Sequence, residues 1–152
     1  MKVLDVQLRA PLAVVPLGDR LYKAAHDNGI ALVTDEGVFA FDFKADVTSN
    51  YRSGGPVVDR FIDQVVSEKV GPIWWFHDLC YTPCAALDGQ HPVSRKLADE
   101  LLRAALLWAG MPKWKANVVY YAVRAFGASA YNNDDALTSY NSKRFSFEWR
   151  AS

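Results

Sequence analysis

In Val38-Phe39-Ala40-Phe41-Asp42-Phe43-Lys44 the phenylalanines fall at every second position, with small, β-branched or charged residues between them. Side chains alternate between the two faces of a strand, so this spacing lays Phe39, Phe41 and Phe43 on one side of a sheet and Val38, Ala40 and Asp42 on the other. The flanking segments share that character. Lys2 to Arg9, Leu21 to Ala24 and Ile30 to Thr34 are short and rich in alternating or β-branched residues, and Gly18, Asn28-Gly29 and Glu36-Gly37 separate them as turns. The first third of the chain therefore reads as a small antiparallel sheet.

Beyond Ser53-Gly54-Gly55-Pro56 the hydrophobic period lengthens. Val57 to Lys69 spaces Val58, Phe61, Ile62 and Val65 at helical intervals, and Gly71-Pro72 supplies a break and a helix-opening proline before a second helix, Ile73 to Ala85. A loop from Leu87 to Pro92 leads to a third helix, about Ser94 to Ala109, with Ser94 as its N-cap and Gly110 and Pro112 as its stop. A fourth runs from Lys113 to Phe126 and ends at Gly127. The last segment, Asn132 to Ser152, is polar until Phe145-Ser146-Phe147-Glu148-Trp149, which alternates like a strand. The expected fold class is α+β, a small N-terminal antiparallel sheet followed by a bundle of about four helices. Residues 1–131 form a single domain in this reading, and residues 132–152 a polar linker and extended tail.

Composition bounds what this fold can do. The 152 residues are enough for one domain with its own core, and a 51% hydrophobic content with 13% aromatics argues against disorder. Seventeen basic residues balance seventeen acidic ones, so the overall field gives no reason to expect capture of nucleic acid. Lys113-Trp114-Lys115 mixes charge with a ring that can stack on a base or rest at a membrane surface, and its ordinary reading is a helix start with Trp114 packed inward. Asp134-Asp135 reads as part of a polar loop. No stretch approaches the ~20 apolar residues of a membrane span, so no transmembrane segment is expected. Cys80 and Cys84 read as reduced core residues rather than a disulfide framework.

The chemistry concentrates in two stretches, Trp75-Phe76-His77-Asp78-Leu79-Cys80-Tyr81 and Ser94-Arg95-Lys96-Leu97-Ala98-Asp99. Residues three and four apart share a helix face, so His77 lies with Ile73, Trp74, Cys80, Tyr81 and Cys84 and points into the fold, while Asp78 is turned by about 100°. If the helix bearing Asp99 packs back on the first, its carboxylate meets the imidazole, bonding one ring nitrogen and leaving the other to take a proton from water. Three ordinary readings stand beside this one. His77 fits equally as a core histidine, and Arg95 and Arg103 fit as surface partners for Asp99 at helical spacing. His77, Cys80, Cys84 and His91 have zinc-ligand chemistry, but their spacing matches no common zinc module.

The pattern H-D-x-x-Y in His77, Asp78 and Tyr81, followed by R-x-x-x-D in Arg95 and Asp99, resembles the core of the secreted and viral phospholipases A2. That resemblance implies His77 as the general base, Asp99 orienting it, Tyr81 bracing Asp99 through its hydroxyl, and Asp78 as a calcium ligand. Where those enzymes have a Gly-rich calcium loop, this chain has Lys69-Val70-Gly71-Pro72-Ile73-Trp74-Trp75. Over about Val38 to Gly127 the chain is also similar to a family of small tailed-phage and prophage proteins of no established activity. The blocks that carry this likeness are Phe43, Asp46 and Ser49; His77, Asp78 and Tyr81; Arg95, Ala98 and Asp99; and Val123, Arg124, Phe126 and Gly127. Asp46 enters from that pattern as a second acidic metal ligand.

Two expectations follow. One is a phage-derived, virion- or lysis-associated hydrolase acting on a lipid ester or another envelope component, its cofactor left open with calcium as the candidate. The other is a noncatalytic virion or tail protein in which the same cluster is a buried polar network. Either would be made in the cytoplasm of a bacterial host and incorporated into the particle. Phe145, Phe147 and Trp149 would then either return to the sheet or add a strand to another phage structural protein.

Overall fold

The computed structural model describes residues 1–18, 21–50, 69–82, 91, 93–132 and 144–151. Its first part contains strands β1 (Val3–Leu8), β2 (Val14–Gly18), β3 (Leu21–Ala24), β4 (Asn28–Thr34), β5 (Gly37–Phe43) and β6 (Thr48–Asn50), and a last strand, β7 (Phe145–Ala151), lies near the C-terminus. These make two antiparallel sheets where the sequence suggested one, a four-stranded sheet of order β1-β4-β5-β7 and a three-stranded sheet of order β2-β3-β6. The alternation of Leu21 to Ala24 gives a strand but does not say which neighbour it pairs with. It pairs with β2, a strand the sequence hides because Pro16 interrupts its pattern. Proline has no N–H to give a ladder and is tolerated in β2 because that strand is at an edge.

The phenylalanine ladder of β5 behaves as its spacing requires. Phe39, Phe41 and Phe43 are buried, Asp42 is exposed, and Ile30 and Leu32 of β4 are buried beside them. β7 pairs with β5 along its whole length, from Phe43 opposite Phe145 to Gly37 opposite Ala151. Of the two destinations open to this strand, it takes the return to the sheet. Trp149 stacks on Phe39 at 3.9 Å and Phe147 packs on Phe41 at 4.9 Å between ring centroids. Gly37 permits this approach: a β-carbon there would sit 2.3 Å from the Arg150 carbonyl oxygen and 2.6 Å from the Trp149 ring. The Phe145 side chain lies outside what is described.

Three helices follow, α1 (Val70–Tyr81), α2 (Arg95–Trp108) and α3 (Lys113–Phe126), with a single helical turn at Ala128–Tyr131. The expectation of about four is therefore corrected to three among the described residues, since the segment from Val57 falls outside them until Lys69, the N-cap of α1. The Ser53–Pro56 turn, the Leu87–Pro92 loop apart from His91, Cys84 and Asp134-Asp135 lie outside them too. α1 begins at Val70 rather than Ile73, with Pro72 in the first turn, where backbone N–H groups have no partner inside the helix to lose. Ser94 caps α2 as expected, its Oγ accepting from the Leu97 N–H at 3.2 Å.

All of α1 except Gly71 is buried, as befits a helix covered on every side. Toward the sheet it presents Phe76, edge-on to Phe41 at 5.2 Å, and Trp75, 5.6 Å from Phe43. α2 packs on α1, and α3 packs on α2. The core is thus one apolar body between sheet and helices, and the polar residues of α1 are forced to find partners inside it.

Candidate functional site

Three helix ends meet at one carboxylate. Asp99, in the first half of α2, is fully buried, and a carboxylate in that position must be surrounded by donors to stay charged. His77 and Tyr81, one turn apart near the end of α1, both reach Asp99 Oδ1: His77 Nε2 at 2.8 Å, and the Tyr81 hydroxyl, which donates at 2.5 Å. Arg124, in the last turn of α3, donates from Nη1 to Asp99 Oδ2 at 3.0 Å. Arg95 Nη1 lies 3.8 Å from the same oxygen and donates to the carbonyls of Val123 and Arg124 at the end of α3. The close of α3 is shaped for this meeting: a β-carbon at Gly127 would lie 2.8 Å from the Tyr81 hydroxyl.

Electrostatics follow from these contacts. Burial alone would raise the Asp99 pKa, but hydrogen bonding and charge from His77, with further hydrogen bonds from Tyr81 and Arg124, hold it below the usual carboxylate range. Burial, and then the hydrogen bond to Asp99, push the Tyr81 phenol far above its ordinary value, so it remains a donor. Burial also pushes the Cys80 thiol up, aided by the negative charges of Asp99 and Asp78, which leaves no thiolate to act as a nucleophile.

Nε2 faces a carboxylate acceptor, so it is the ring nitrogen that donates to Asp99. His77 Nδ1 is buried and has no hydrogen-bond partner among the described residues. The ring of His77 packs on Tyr81 at 4.4 Å, Tyr81 meets Tyr131 edge-on at 5.2 Å, and Tyr131 stacks on His91 at 3.6 Å. His91 thus belongs to the neighbourhood of the site through aromatic contacts. Its pKa is lowered, chiefly by burial, with the Cys80 and Tyr131 backbones acting in the opposite direction.

The structure brings His77, Tyr81 and Asp99 together and places Asp78 beside them, buried on α1. It puts Asp46 elsewhere: this residue adopts φ 72° in the turn before β6, and its carboxylate pairs with Lys23 at 3.6 Å. An aspartate in that left-handed turn needs no metal to explain it. Among the described residues no group of three or more His, Cys, Asp or Glu side chains is placed to hold a metal ion. Arg103, a candidate partner for Asp99 by helical spacing, instead donates to Asn117 at 2.7 Å. Arg124 is the residue the sequence left without a role, and its signals were its place in the last turn of α3 and in the block Val123, Arg124, Phe126 and Gly127.

No family model, curated protein or solved structure matches this chain.

Proposed function

We propose that this chain is a small phage- or prophage-derived hydrolase with a phospholipase A2-like His-Asp site, associated with the virion or with lysis, acting on a lipid ester or another envelope component. The observation that carries the reading is the buried Nδ1 of His77, without a hydrogen-bond partner among the described residues, opposite an Nε2 bonded to Asp99. A buried polar atom left unpaired costs about 1–3 kcal/mol, so an open ring nitrogen beside a bonded one supports a role in binding water. In the proposed reaction Nδ1 removes a proton from water as the water oxygen bonds to the ester carbonyl carbon, whose π pair moves to the carbonyl oxygen. Asp99 stabilises the imidazolium through Nε2. Collapse of the tetrahedral intermediate breaks the bond to the alkoxide, which takes the proton back from His77. Tyr81 and Arg124 are positioning residues, acting through Asp99.

The test is fatty-acid release from phospholipid vesicles, with calcium and with chelator, comparing the parent chain with His77→Asn. Release by the parent alone supports the reading; release that survives the substitution removes His77 as the base.

The second reading is a noncatalytic virion or tail protein, favoured by the complete burial of Asp99 and by its ties to all three helices. Neighbouring phage structural proteins would then meet the β7 edge, where Trp149 remains 42% exposed. On that reading His77→Asn particles stay infectious, whereas a hydrolase needed for infection would make them fail.

A further inference from the structure

Among the described residues the two sheets end in four edge strands, and three of these are blunted. β1 shifts register between Val3 and Asp5, β2 carries Pro16 and a shift between Pro16 and Gly18, and β6 is three residues long. Bulges, prolines and short length are ordinary protections of an edge against pairing with another chain. β7 has none of them. Its seven residues run beside β5 without a register shift and include neither proline nor glycine. The Lys44 N–H donates to the Arg144 carbonyl at 2.8 Å, which makes 44 and 144 a hydrogen-bonded pair of the ladder. By the alternation of an antiparallel ladder, the backbone groups of Ser146, Glu148 and Arg150 then turn toward β5, and those of Phe147, Trp149 and Ala151 turn toward the open edge.

Charge selects what pairs there and in which register. Laid antiparallel about a twofold axis at Trp149, two copies of β7 set Trp149 opposite itself and Phe147 opposite the partner's Ala151, so that the outward N–H and C=O groups of each strand meet those of the other. Glu148 then stands opposite the partner's Arg150, and Arg150 opposite the partner's Glu148. These are non-hydrogen-bonded positions, where side chains approach most closely. Arg150 Nε already lies 3.4 Å from Glu148 Oε1 within the strand, with the two side chains 64% and 62% exposed. The contact adds a second pair to the first and needs neither charge to be free. The adjacent registers that keep the same faces together set Glu148 against Glu148 or Arg150 against Arg150 on the axis, and like charges directly opposite are destabilising. Trp149 stacks on Phe39 and remains 42% exposed, and its copy would cover it at the axis. A strand of unrelated sequence has the backbone groups for this edge but no reason to carry the reversed charge pair.

We propose that β7 is a homodimerisation edge, at which a second copy of this chain pairs antiparallel about a twofold axis at Trp149 and joins the two four-stranded sheets into one. The inference depends on neither reading of the His77 site, none of whose residues lies on β7. On the noncatalytic reading, the neighbour at this edge is then another copy of the chain.

The experiment is sedimentation equilibrium of the full chain at low salt, from micromolar to near-millimolar concentration. It compares the parent, Glu148→Arg, Arg150→Glu, the double exchange Glu148→Arg with Arg150→Glu, and an equimolar mixture of the two single variants. The parent should dimerise. Each single variant sets like charges opposite one another at both symmetric positions and should weaken self-association by about tenfold or more. The double exchange should restore the dimer. The mixture should form a heterodimer, because one strand then carries only basic and the other only acidic side chains at these positions. Restoration and mixing use the same substitutions as the single variants, so a folding defect cannot imitate the pattern. A parent that stays monomeric throughout overturns the proposal, as do single variants that associate like the parent or fail to pair when mixed. Association lost in Trp114→Ser and kept in Glu148→Arg would move the contact to α3 and overturn it too.

Discussion

Asp99 and Asp42 each pair with an arginine that is distant in sequence, and the two pairs have opposite physical meaning. Asp42 projects from the solvent face of β5 and meets Arg9, with both side chains more than 60% exposed. Asp99 has no exposed surface and collects His77, Tyr81 and Arg124. Water competes for every group of the first pair and screens its charges, so its geometry adds little to stability. Around Asp99 the protein itself takes the place of water, and each partner is there because a buried carboxylate without donors could not stay ionised. The same two side-chain types are therefore decoration on the sheet and a structural requirement between the helices.

The sharpest way to break this contrast is to remove each carboxylate in turn. Asp99→Ala leaves the Arg124 charge and two polar side chains without their acceptor and should cost about 3–5 kcal/mol in urea unfolding. Asp42→Ala should cost under about 1 kcal/mol. Equal losses would mean that burial does not separate the two sites. Asp99→Asn keeps the shape but not the charge, and should fall between them.

Half of this contrast could be read before any coordinates. The alternation of Phe39, Phe41 and Phe43 set Asp42 on the opposite face of β5, and the i, i+4 relation of His77 and Tyr81 aimed both at the helix carrying Asp99. Periodicity reports which side of an element a residue occupies. It does not report which element comes to lie against that side, and this is why the role of Arg124 and the pairing of β3 with β2 were not legible and the return of β7 to the sheet stood as one of two destinations. Nor does it assign a lone aromatic at a helix start: Trp114, the second residue of α3, faces solvent.

Tyr81 offers a smaller and more selective probe. Tyr81→Phe removes only the hydroxyl that donates to Asp99, a hydrogen bond to a charged group, and should cost about 1.5–3 kcal/mol. It should also change the pH dependence. The folded-state pKa of Tyr81 is raised, so its contribution is fully present below the unfolded value near 10 and declines as pH rises above it. The parent should therefore lose stability in alkali where Tyr81→Phe loses less. On the acid side the sign reverses. The folded pKa of Asp99 is depressed, so its stabilisation is present above the unfolded value of 3.8 and is lost as pH falls below it. Unfolding curves for Asp99→Asn should be flatter through that acid window, and a parent-like slope would assign acid unfolding to other carboxylates.

His91 provides a test in mildly acidic solution. Its folded pKa is lowered from 6.5, so the folded state resists protonation and stability should fall as pH drops below that value. His91→Phe keeps a ring against Tyr131 and removes the titration, so the difference between the two chains should appear only below about pH 6.5.

The smallest effect tests the contrast from its weak side. A double-mutant cycle on Arg9 and Asp42 should give a coupling of about 0.2–1 kcal/mol at low salt and close to zero at 1 M salt, where the Debye length of about 3 Å is shorter than the reach of the pair. The same cycle on Arg124 and Asp99 should keep most of its coupling, since Asp99 has no surface through which ions can screen it. Salt, unlike truncation, leaves every contact in place, so it separates exposure from geometry. A coupling at Arg9–Asp42 that survives salt would place that pair in a drier environment than its exposure indicates. A coupling at Arg124–Asp99 that vanishes would show that solvent reaches the carboxylate on which the proposed base depends.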